Sequence, residues 1–380
     1  MKVMGIERDE GATNNYRIMQ PLFKLMEHNM ANVSTAREGI ELNQENAFLK
    51  AAESDLIVFH RPQSENWFKF IKVCNKLGKT IVADYDDDPF NTSPLNPFYQ
   101  WIGTEEVFFK HRDGTEEVLW SGDPASGSKY INIEDNISRR DLFRASFRSA
   151  DLVSCTTEVL AERLRTINPN VAVLPNLIDF NQYPSINTKL VKEGIRIGWQ
   201  GGASHFEDLF MIYEAVGEIL KKYPQVTFVY SGDMKLYGKL RNFPIHRVEA
   251  HDWVNYEVYP YKLKLLNLDI GLCPVTENEF NKCKSAIKYF EYSMVGAASI
   301  ASDWEPYSPV INQGLDGLLV KPDQWFNAME ELILNKEKRE RLAKNAYDNI
   351  FENHNADKKA HLWLDAYEGV LKKDISLVGV

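Results

Sequence analysis

Short apolar runs alternate with segments of helical pattern along most of the chain. Residues 3–6, 56–59, 80–83, 152–154 and 171–174 are apolar stretches of strand length, and helical patterns fill several of the gaps between them. This is the order of strand and helix layers in an α/β protein. A polar stretch at 180–193, with Pro184 inside it, precedes a fresh start of the alternation. There the predicted elements are strands at 195–199, 226–230, 270–274 and 299–302, with helices at 205–222, near 257–266 and near 285–295. The second half therefore reads as another doubly wound unit. Between 89 and 135 the pattern lapses into Pro, Asn, Gly and aromatic residues, too long for a plain connection, and is read as an insertion that covers a site or binds a ligand. In the tail, Ala360, Leu364, Tyr367 and Leu371 recur as one helical face. The expected organisation is a first domain at 1–187, a second at 188–356 and a terminal helix at 357–380.

A length of 380 residues suits two domains, and 44% hydrophobic with 26% charged residues is an ordinary globular composition with a buried core. The net charge of −10 gives no general attraction to nucleic acid or to an anionic bilayer. Cys74, Cys155, Cys273 and Cys283 have no metal-ligand spacing, and no metal is expected. No segment reaches the ~20 apolar residues needed to span a membrane. No charged start followed by a long apolar run marks a targeting segment, so a cytoplasmic protein with reduced thiols is expected.

The strand at 195–199 runs into Gly201-Gly202-Ala203, where Ser204 and Glu207 fit a capping box opening the next helix. Two glycines allow close approach of a ligand to the backbone, and free amides at a helix start receive an anion such as phosphate. A tight turn without a ligand has the same pattern, and Glu207 and Asp208 oppose an anion. The third glycine of a dinucleotide fingerprint is absent. On a helix through 284–294, Ile287, Phe290 and Met294 would face the core while Lys284, Lys288 and Glu291 line another face. Two cations suit a diphosphate and a carboxylate suits the paired hydroxyls of a ribose, although a solvated charged face has the same spacing. Gly296 ends the helix. Trp199, Trp253 and Trp304 are either core residues or stacking platforms.

In the first half three predicted strands end in polar residues: Gly11 to Arg17, His60-Arg61-Pro62, and Asp84-Tyr85-Asp86-Asp87-Asp88. Ligands of open α/β sheets gather at such strand ends, so an acceptor-binding role is expected here, ahead of a divalent metal site. Arg139, Arg140, Arg144 and Arg148 form a basic stripe, read either as a solvated face paired with Asp141 or as a seat for an anionic acceptor.

The run Asp269-Ile270-Gly271-Leu272-Cys273-Pro274, then Phe280-Asn281, Lys284-Ser285, Lys288, Glu291-Tyr292 and Gly296, with Gly314 and Gly317-Leu318-Leu319-Val320 following, resembles the donor half of a GT-B glycosyltransferase. Glycosyltransferase family 4 (group 1), in a divergent branch, is the family it is similar to. Glu291 matches the glutamate that contacts ribose there, and Gly11, Tyr16, Arg17 and Pro21 are similar to an opening Gly-Tyr-Arg-Pro pattern. The sequence departs from the family in having Cys283 where a second glutamate is usual. It also has Gly201, Gly202 and His205 where Arg and Lys are often found, with Lys284 and Lys288 as compensating charges.

The resemblance implies an α/β fold of two Rossmann-like doubly wound domains facing a cleft, with the C-terminal helix crossing back to the first. It implies a nucleotide-sugar-dependent hexosyl- or pentosyltransferase acting with retention, with a UDP- or GDP-linked donor and no required cofactor. The acceptor is a glycan, lipid, protein or modified nucleobase. Donor contacts fall to Gly201, Gly202, His205, Trp253, Lys284, Ser285, Lys288 and Glu291. Acceptor contacts fall to Gly11, Tyr16, Arg17, His60, Arg61, Asp86 and Asp88, and the catalytic candidates are Asp86, Asp87, Lys284 and Glu291. A sugar-nucleotide epimerase or phosphorylase of the same fold, or a non-catalytic glycan or nucleic-acid binding protein, are the alternative readings.

Overall fold

The structure, a computed structural model, describes residues 1–8, 11–37, 44–62, 64–111, 113–188, 193–238, 240 and 243–377. The chain divides into two α/β units, Met1–Asn176 joined by the segment from Lys359, and Leu177–Lys358. The first unit carries β1 (Lys2–Glu7), β2 (Asn32–Arg37), β3 (Leu56–His60), β4 (Thr80–Tyr85), β5 (Val107–Lys110), β6 (Glu116–Ser121), β7 (Lys129–Tyr130), β8 (Leu152–Cys155) and β9 (Val171–Val173). The second carries β10 (Ile195–Gly201), β11 (Val226–Gly232), β12 (Val248–His251), β13 (Ile270–Cys273), β14 (Ala298–Ser302) and β15 (Leu318–Val320).

Each unit is built on one parallel six-stranded sheet, ordered β2-β1-β3-β4-β8-β9 in the first and β12-β11-β10-β13-β14-β15 in the second. β3, β4, β13 and β14 are buried at every position, as strands of a parallel sheet covered on both faces are, and β3 and β13 stand out as apolar runs. The edge strands β2 and β12 are half-exposed and polar, and no apolar run announces them. Strand order reverses between β1 and β3 in one sheet and between β10 and β13 in the other, and the carboxyl ends at these points are where doubly wound sheets hold ligands. Among the described residues no helix is long and apolar enough to cross a membrane.

The first boundary lies earlier than the expected 187, because the connecting stretch packs on the second unit. Ile178 bridges to Asn355, Phe180 sets its ring 5.4 Å from Tyr347 and 5.3 Å from Phe351, and the Ile186 carbonyl accepts from Lys264 Nζ at 3.2 Å. Residues 189–192 of the expected linker lie outside the described residues. The insertion holds a small sheet, β5-β6-β7, over a core of Tyr99, Trp120 and Ile131. Its strands β5 and β7 are mostly exposed, so no run marked them.

The basic stripe on helix Ile133–Arg148 serves this insertion in part. Arg140 Nε donates to the Ile102 carbonyl at 2.8 Å and its Nη2 to that of Phe90 at 2.7 Å, and Arg139 Nη1 donates to the Trp101 carbonyl. Arg144 pairs with Asp141 at 3.0 Å.

The terminal helix His361–Leu377 packs on helix Gln20–Glu27 of the first unit. Its buried face is Ala360, Trp363, Tyr367 and Val370; Leu364 and Leu371, expected in the core, are only half-buried, so the face is rotated toward the large aromatic Trp363. Truncating Trp363 to Ala should lower the stability of the first unit by about 3–5 kcal/mol, the cost of a large cavity. Urea unfolding checks this, and an unshifted midpoint would show that the helix is not docked there.

Candidate functional site

In the second unit the strand ends around the switch point form a tight glycine turn. A Cβ on Gly232, at φ +150°, would lie 2.0 Å from the Gly201 carbonyl oxygen, so the turn after β11 closes on the end of β10 only with glycine. A Cβ on Gly201 would meet the Trp199 ring at 2.8 Å, and one on Gly202 would meet the Trp253 ring at 3.3 Å. Trp199 is a core residue stacked on Tyr230, whereas Trp253, just past β12, is 58% exposed and lies over Gly202. The helix N-cap is His205 and not the expected Ser204: a short 3₁₀ turn, Ala203–His205, leads into helix Phe206–Lys222, and His205 makes no side-chain cap bond.

His205 instead belongs to a buried charge cluster. Its Nδ1 is 2.7 Å from Asp208 Oδ2, and Lys288 Nζ is 3.2 Å from Nδ1 and 3.1 Å from Nε2. The other Asp208 oxygen accepts from the Thr276 amide at 2.8 Å and from Asn281 Nδ2 at 3.5 Å. Burial, then the charges of Lys288 and Lys284, push His205 down to about 3, so its ring is neutral at pH 7. A neutral ring that gives its Nδ1 proton to Asp208 offers Nε2 to Lys288 as an acceptor. Lys288 is itself pulled down to about 8 by burial and by Lys284, with Asp208 opposing. Burial works against ionisation of Asp208, but the His205 bond and the charge of Lys284 hold its carboxyl well below the usual range. Lys284 Nζ is buried and has no hydrogen-bond partner among the described residues, and it lies 5.0 Å from the centre of the Phe280 ring.

Lys284 reaches this cluster from a loop. Glu279–Lys282 forms a separate turn, the Lys284 amide bonds the Asn281 carbonyl at 3.1 Å, and the longer helix starts only at Ile287 and runs to Val295. Lys284 and the half-buried Ser285 therefore precede the helix that carries Lys288 and Glu291, and Ile287, expected in the core, is half-exposed. Gly296 closes that helix in the left-handed region, φ 79°. Glu291 is buried with two partners that sequence reasoning missed: Gln200 Nε2 donates to its Oε2 at 2.7 Å and the Tyr259 hydroxyl to the same oxygen at 2.9 Å. Gln200 lies within β10 just past the apolar run, Tyr259 opens a seven-residue helix, and Asp208 was read only as a charge opposing anions.

In the first unit the expected acceptor residues separate. Gly11 is an exposed helix N-cap and Tyr16 is a core residue. Arg17 is buried: its Nε and Nη2 donate to the two Asp84 oxygens at 2.9 and 2.7 Å, and its Nη1 to the Leu174 carbonyl and to Asn176 Oδ1. Burial works against this charge and Asp84 more than offsets it, so the guanidinium stays protonated. Asp84 also accepts from Ser154 Oγ at 2.6 Å. Arg17 and Tyr16 thus hold the unit together instead of facing a ligand. Arg61, in the left-handed region at φ 50°, spans Asp86 with Nε and Asp87 with Nη2, the latter at 2.6 Å. Burial alone would raise Asp86, but Arg61 and then His60 hold it well below the usual carboxylate range. Asp88 is turned inward by Arg163, the Phe90 amide and Asn91. His60 is buried, neither ring nitrogen has a hydrogen-bond partner among the described residues, and Nε2 lies 3.7 Å from Asp86 Oδ1. The side chain of Asp87 is the most accessible of the four aspartates, at 32%. Among the described residues no group of acidic, His or Cys side chains is arranged to hold a metal.

Known proteins share this architecture. Residues 214–365 match the family model described as glycosyl transferase-like. TuaH of Bacillus subtilis (strain 168), named as a teichuronic acid biosynthesis glycosyltransferase, is 24% identical over 225 residues, 55% of this chain and 52% of that protein; the match thus takes in about half the length of that relative. Anabaena HepE, solved with UDP and glucose, superposes with TM-score 0.64 at 14% identity, covering 97% of this chain and 100% of that one. Sucrose-phosphate synthase of Thermosynechococcus elongatus gives TM-score 0.64 at 12% identity, covering 98% and 100%. The chain has the GT-B fold, and its residues 214–365 are glycosyl transferase-like.

Replacing Arg17 by Met should cost about 3–5 kcal/mol, because Asp84 is left buried and unpaired. The Arg17→Met/Asp84→Asn pair should recover part of that loss. Denaturant unfolding of the single and double variants tests this, and a single variant of unchanged stability would return Arg17 to the candidate ligand contacts.

Proposed function

We propose that the protein transfers a sugar from a UDP-linked donor to an acceptor hydroxyl, with retention at the anomeric carbon. The observation that carries this reading is the Lys284 ammonium, buried without a hydrogen-bond acceptor among the described residues, its charge acting on Lys288 and the neutral His205. A buried cation is costly unless an anion meets it, and a nucleoside diphosphate is an anion of the right charge. UDP in the HepE structure supports the choice of nucleotide. Lys284, Lys288 and Ser285 then bind the diphosphate, Glu291 the ribose, and the exposed ring of Trp253 over Gly202 stacks on the base.

In the reaction the bond from the anomeric carbon to the diphosphate breaks, and the bond to the acceptor oxygen forms on the same face. The acceptor proton passes to an oxygen of the departing diphosphate. The lysines stabilise the charge that develops there. Asp87, Asp86 and Arg61 at the strand ends of the first unit orient the acceptor. Asp86 is a poor base because Arg61 holds it ionised, and a general base works best near the ambient pH.

Titration calorimetry with UDP, and with GDP as a second arm, tests the donor. Lys284→Ala should weaken UDP by about 10- to 150-fold, equivalent to about 1.5–3 kcal/mol for a hydrogen bond to a charged group. Unchanged affinity would remove Lys284 from the site. The configuration of the product at the anomeric carbon, read by NMR, decides retention.

UDP affinity should also depend on pH in a stated direction. Lys288 titrates at about 8 in the empty protein and binds the diphosphate in its charged form, so affinity is full below that pH and is lost above it. The limiting slope is about tenfold per pH unit for one linked proton. Calorimetry from pH 7 to 10 reads this slope, and Lys288→Arg, charged throughout, should flatten it.

A further inference from the structure

We infer that one helical face of the first unit docks on an anionic lipid bilayer: the lysine ridge of helix Glu65–Lys76 meets the headgroups, and an exposed apolar seam beside it sinks among them. Lys69, Lys72 and Lys76 fall at i, i+3 and i+7, so they share one side of that helix, and all three are exposed. Trp67, Phe70, Ile71 and Cys74 are buried in the core of the unit, so the helix is held in place and only its outer face is available. The one carboxylate on the helix, Glu65, pairs with Lys69 at 3.0 Å, but the two side chains are 70% and 65% exposed, and solvent leaves such a pair little strength. Helix Glu45–Glu53 lies alongside. Its Phe48 ring is 5.0 Å from that of Phe70, and Lys79 Nζ donates to the Ala52 and Ser54 carbonyls, which ties the ends of the two helices together. Phe70, Val73 and Leu77 follow at i, i+3 and i+7, so the edge that meets Phe48 continues into Val73 and Leu77. Phe48 is 36% exposed, Leu49 55%, Val73 38% and Leu77 49%. Single exposed apolar side chains are ordinary, but four at one seam edged by three lysines make an amphipathic surface.

Charge and side-chain chemistry favour a bilayer over other anions. A net charge of −10 repels an anionic surface, so attraction has to come from a local concentration of positive charge, and residues 65–79 carry four lysines against one glutamate. Every cation in that stretch is a lysine. An ammonium on a long flexible stem is a point charge that suits a fluid layer of headgroups, whereas fixed bidentate recognition of a phosphate calls for arginine. Lysine stems also lie along apolar surface while their heads stay in water, so the ridge and the seam can be occupied at once. Lys72 already lies over an apolar group, its Nζ 4.3 Å from the centre of the Phe68 ring. A nucleic acid on the same ridge would leave the apolar seam in water.

Flotation of the whole chain with phosphatidylcholine vesicles, with and without one third phosphatidylglycerol, tests this. The wild type should partition onto the anionic vesicles on the order of 100-fold more strongly than onto the neutral ones, from about fivefold per lysine near a charged surface. Salt at about 1 M should remove most of that gap. Lys69→Gln/Lys72→Gln/Lys76→Gln should lose most of the preference. The same change of charge at exposed positions of the second unit, Lys221→Gln/Lys336→Gln/Lys344→Gln, should keep it. Leu49→Ser/Val73→Ser/Leu77→Ser should weaken binding to both kinds of vesicle by about tenfold or more. All these positions are exposed, so the variants should melt close to the wild type. A wild type without preference for anionic vesicles, or a preference that survives the Lys69, Lys72 and Lys76 substitutions, overturns the inference. A DNA duplex that strips the protein from the vesicles, with the apolar variant binding like the wild type, gives the face to nucleic acid and overturns it too. So does a wild-type dimer that the lysine variant dissociates in sedimentation, since a second copy then covers the face. None of these outcomes bears on UDP affinity, so the donor reading stands or falls separately.

Discussion

The ammonium groups of Lys284 and Lys288, packed around Asp208 and His205, set the terms for the second unit. Asp208 favours the charge of Lys288, with a smaller help from Glu291, and it is already held by His205, Thr276 and Asn281. The chain answers by discharging the histidine between them: a neutral His205 keeps its bond to Asp208 and accepts from Lys288 without adding a third positive charge. The residual imbalance remains as a depressed Lys288. Its folded value of about 8 lies below the ordinary 10.5 of a lysine, so the cost to folding is fully present below pH 8 and is relieved as pH rises toward 10.5. An anionic ligand removes the same cost at neutral pH, which makes the empty site the less comfortable state.

Buried cations in the first unit follow the opposite rule. Arg17 is more deeply buried than either lysine, but its Nε, Nη1 and Nη2 all donate to acceptors: both oxygens of Asp84, the Leu174 carbonyl and Asn176. Its fixed fork of donors matches a carboxylate, whereas an ammonium is a point charge that many ligands can satisfy. A satisfied buried pair specifies packing. An unsatisfied one asks for a ligand. This distinction, not residue type, separates the contact that holds the first unit together from the one that makes a site in the second.

That distinction is invisible along the chain, and it marks where the sequence stopped being readable. Strands covered on both faces were legible because burial favours consecutive apolar residues, as in β3 and β13. Edge strands such as Asn32–Arg37 were not, since only one of their positions is buried and nothing distinguishes them from loops. Lys284, Lys288 and Glu291 were identified by spacing on a helix, although Lys284 lies before the helix begins; the loop brings it to Lys288 and His205 all the same. Gln200 and Tyr259 carried no signal, because they meet Glu291 from positions 91 and 32 residues away along the chain. Arg17 carried a misleading one: it sits in a motif at a strand end, yet its guanidinium is turned into the core.

The run of four aspartates at 84 and 86–88 shows what charge patterning hides. In sequence it is a concentrated negative patch; in space its members are neutralised by three different arginines, Asp84 by Arg17, Asp86 and Asp87 by Arg61, and Asp88 by Arg163. Each arginine comes from a different element, so the patch is a joint in the first unit as well as a strand end. The pairing also constrains the chemistry open to it. A carboxylate kept ionised by a guanidinium gives up its lone pairs to hydrogen bonds readily and takes a proton poorly, so this run suits holding an acceptor more than deprotonating it. The proton must then go to a group whose basicity lies nearer neutrality, and a phosphate oxygen with a pKa of about 6 is such a group. On the proposed reading the lysines act twice, first by binding the diphosphate and then by holding it while one of its oxygens collects the acceptor proton.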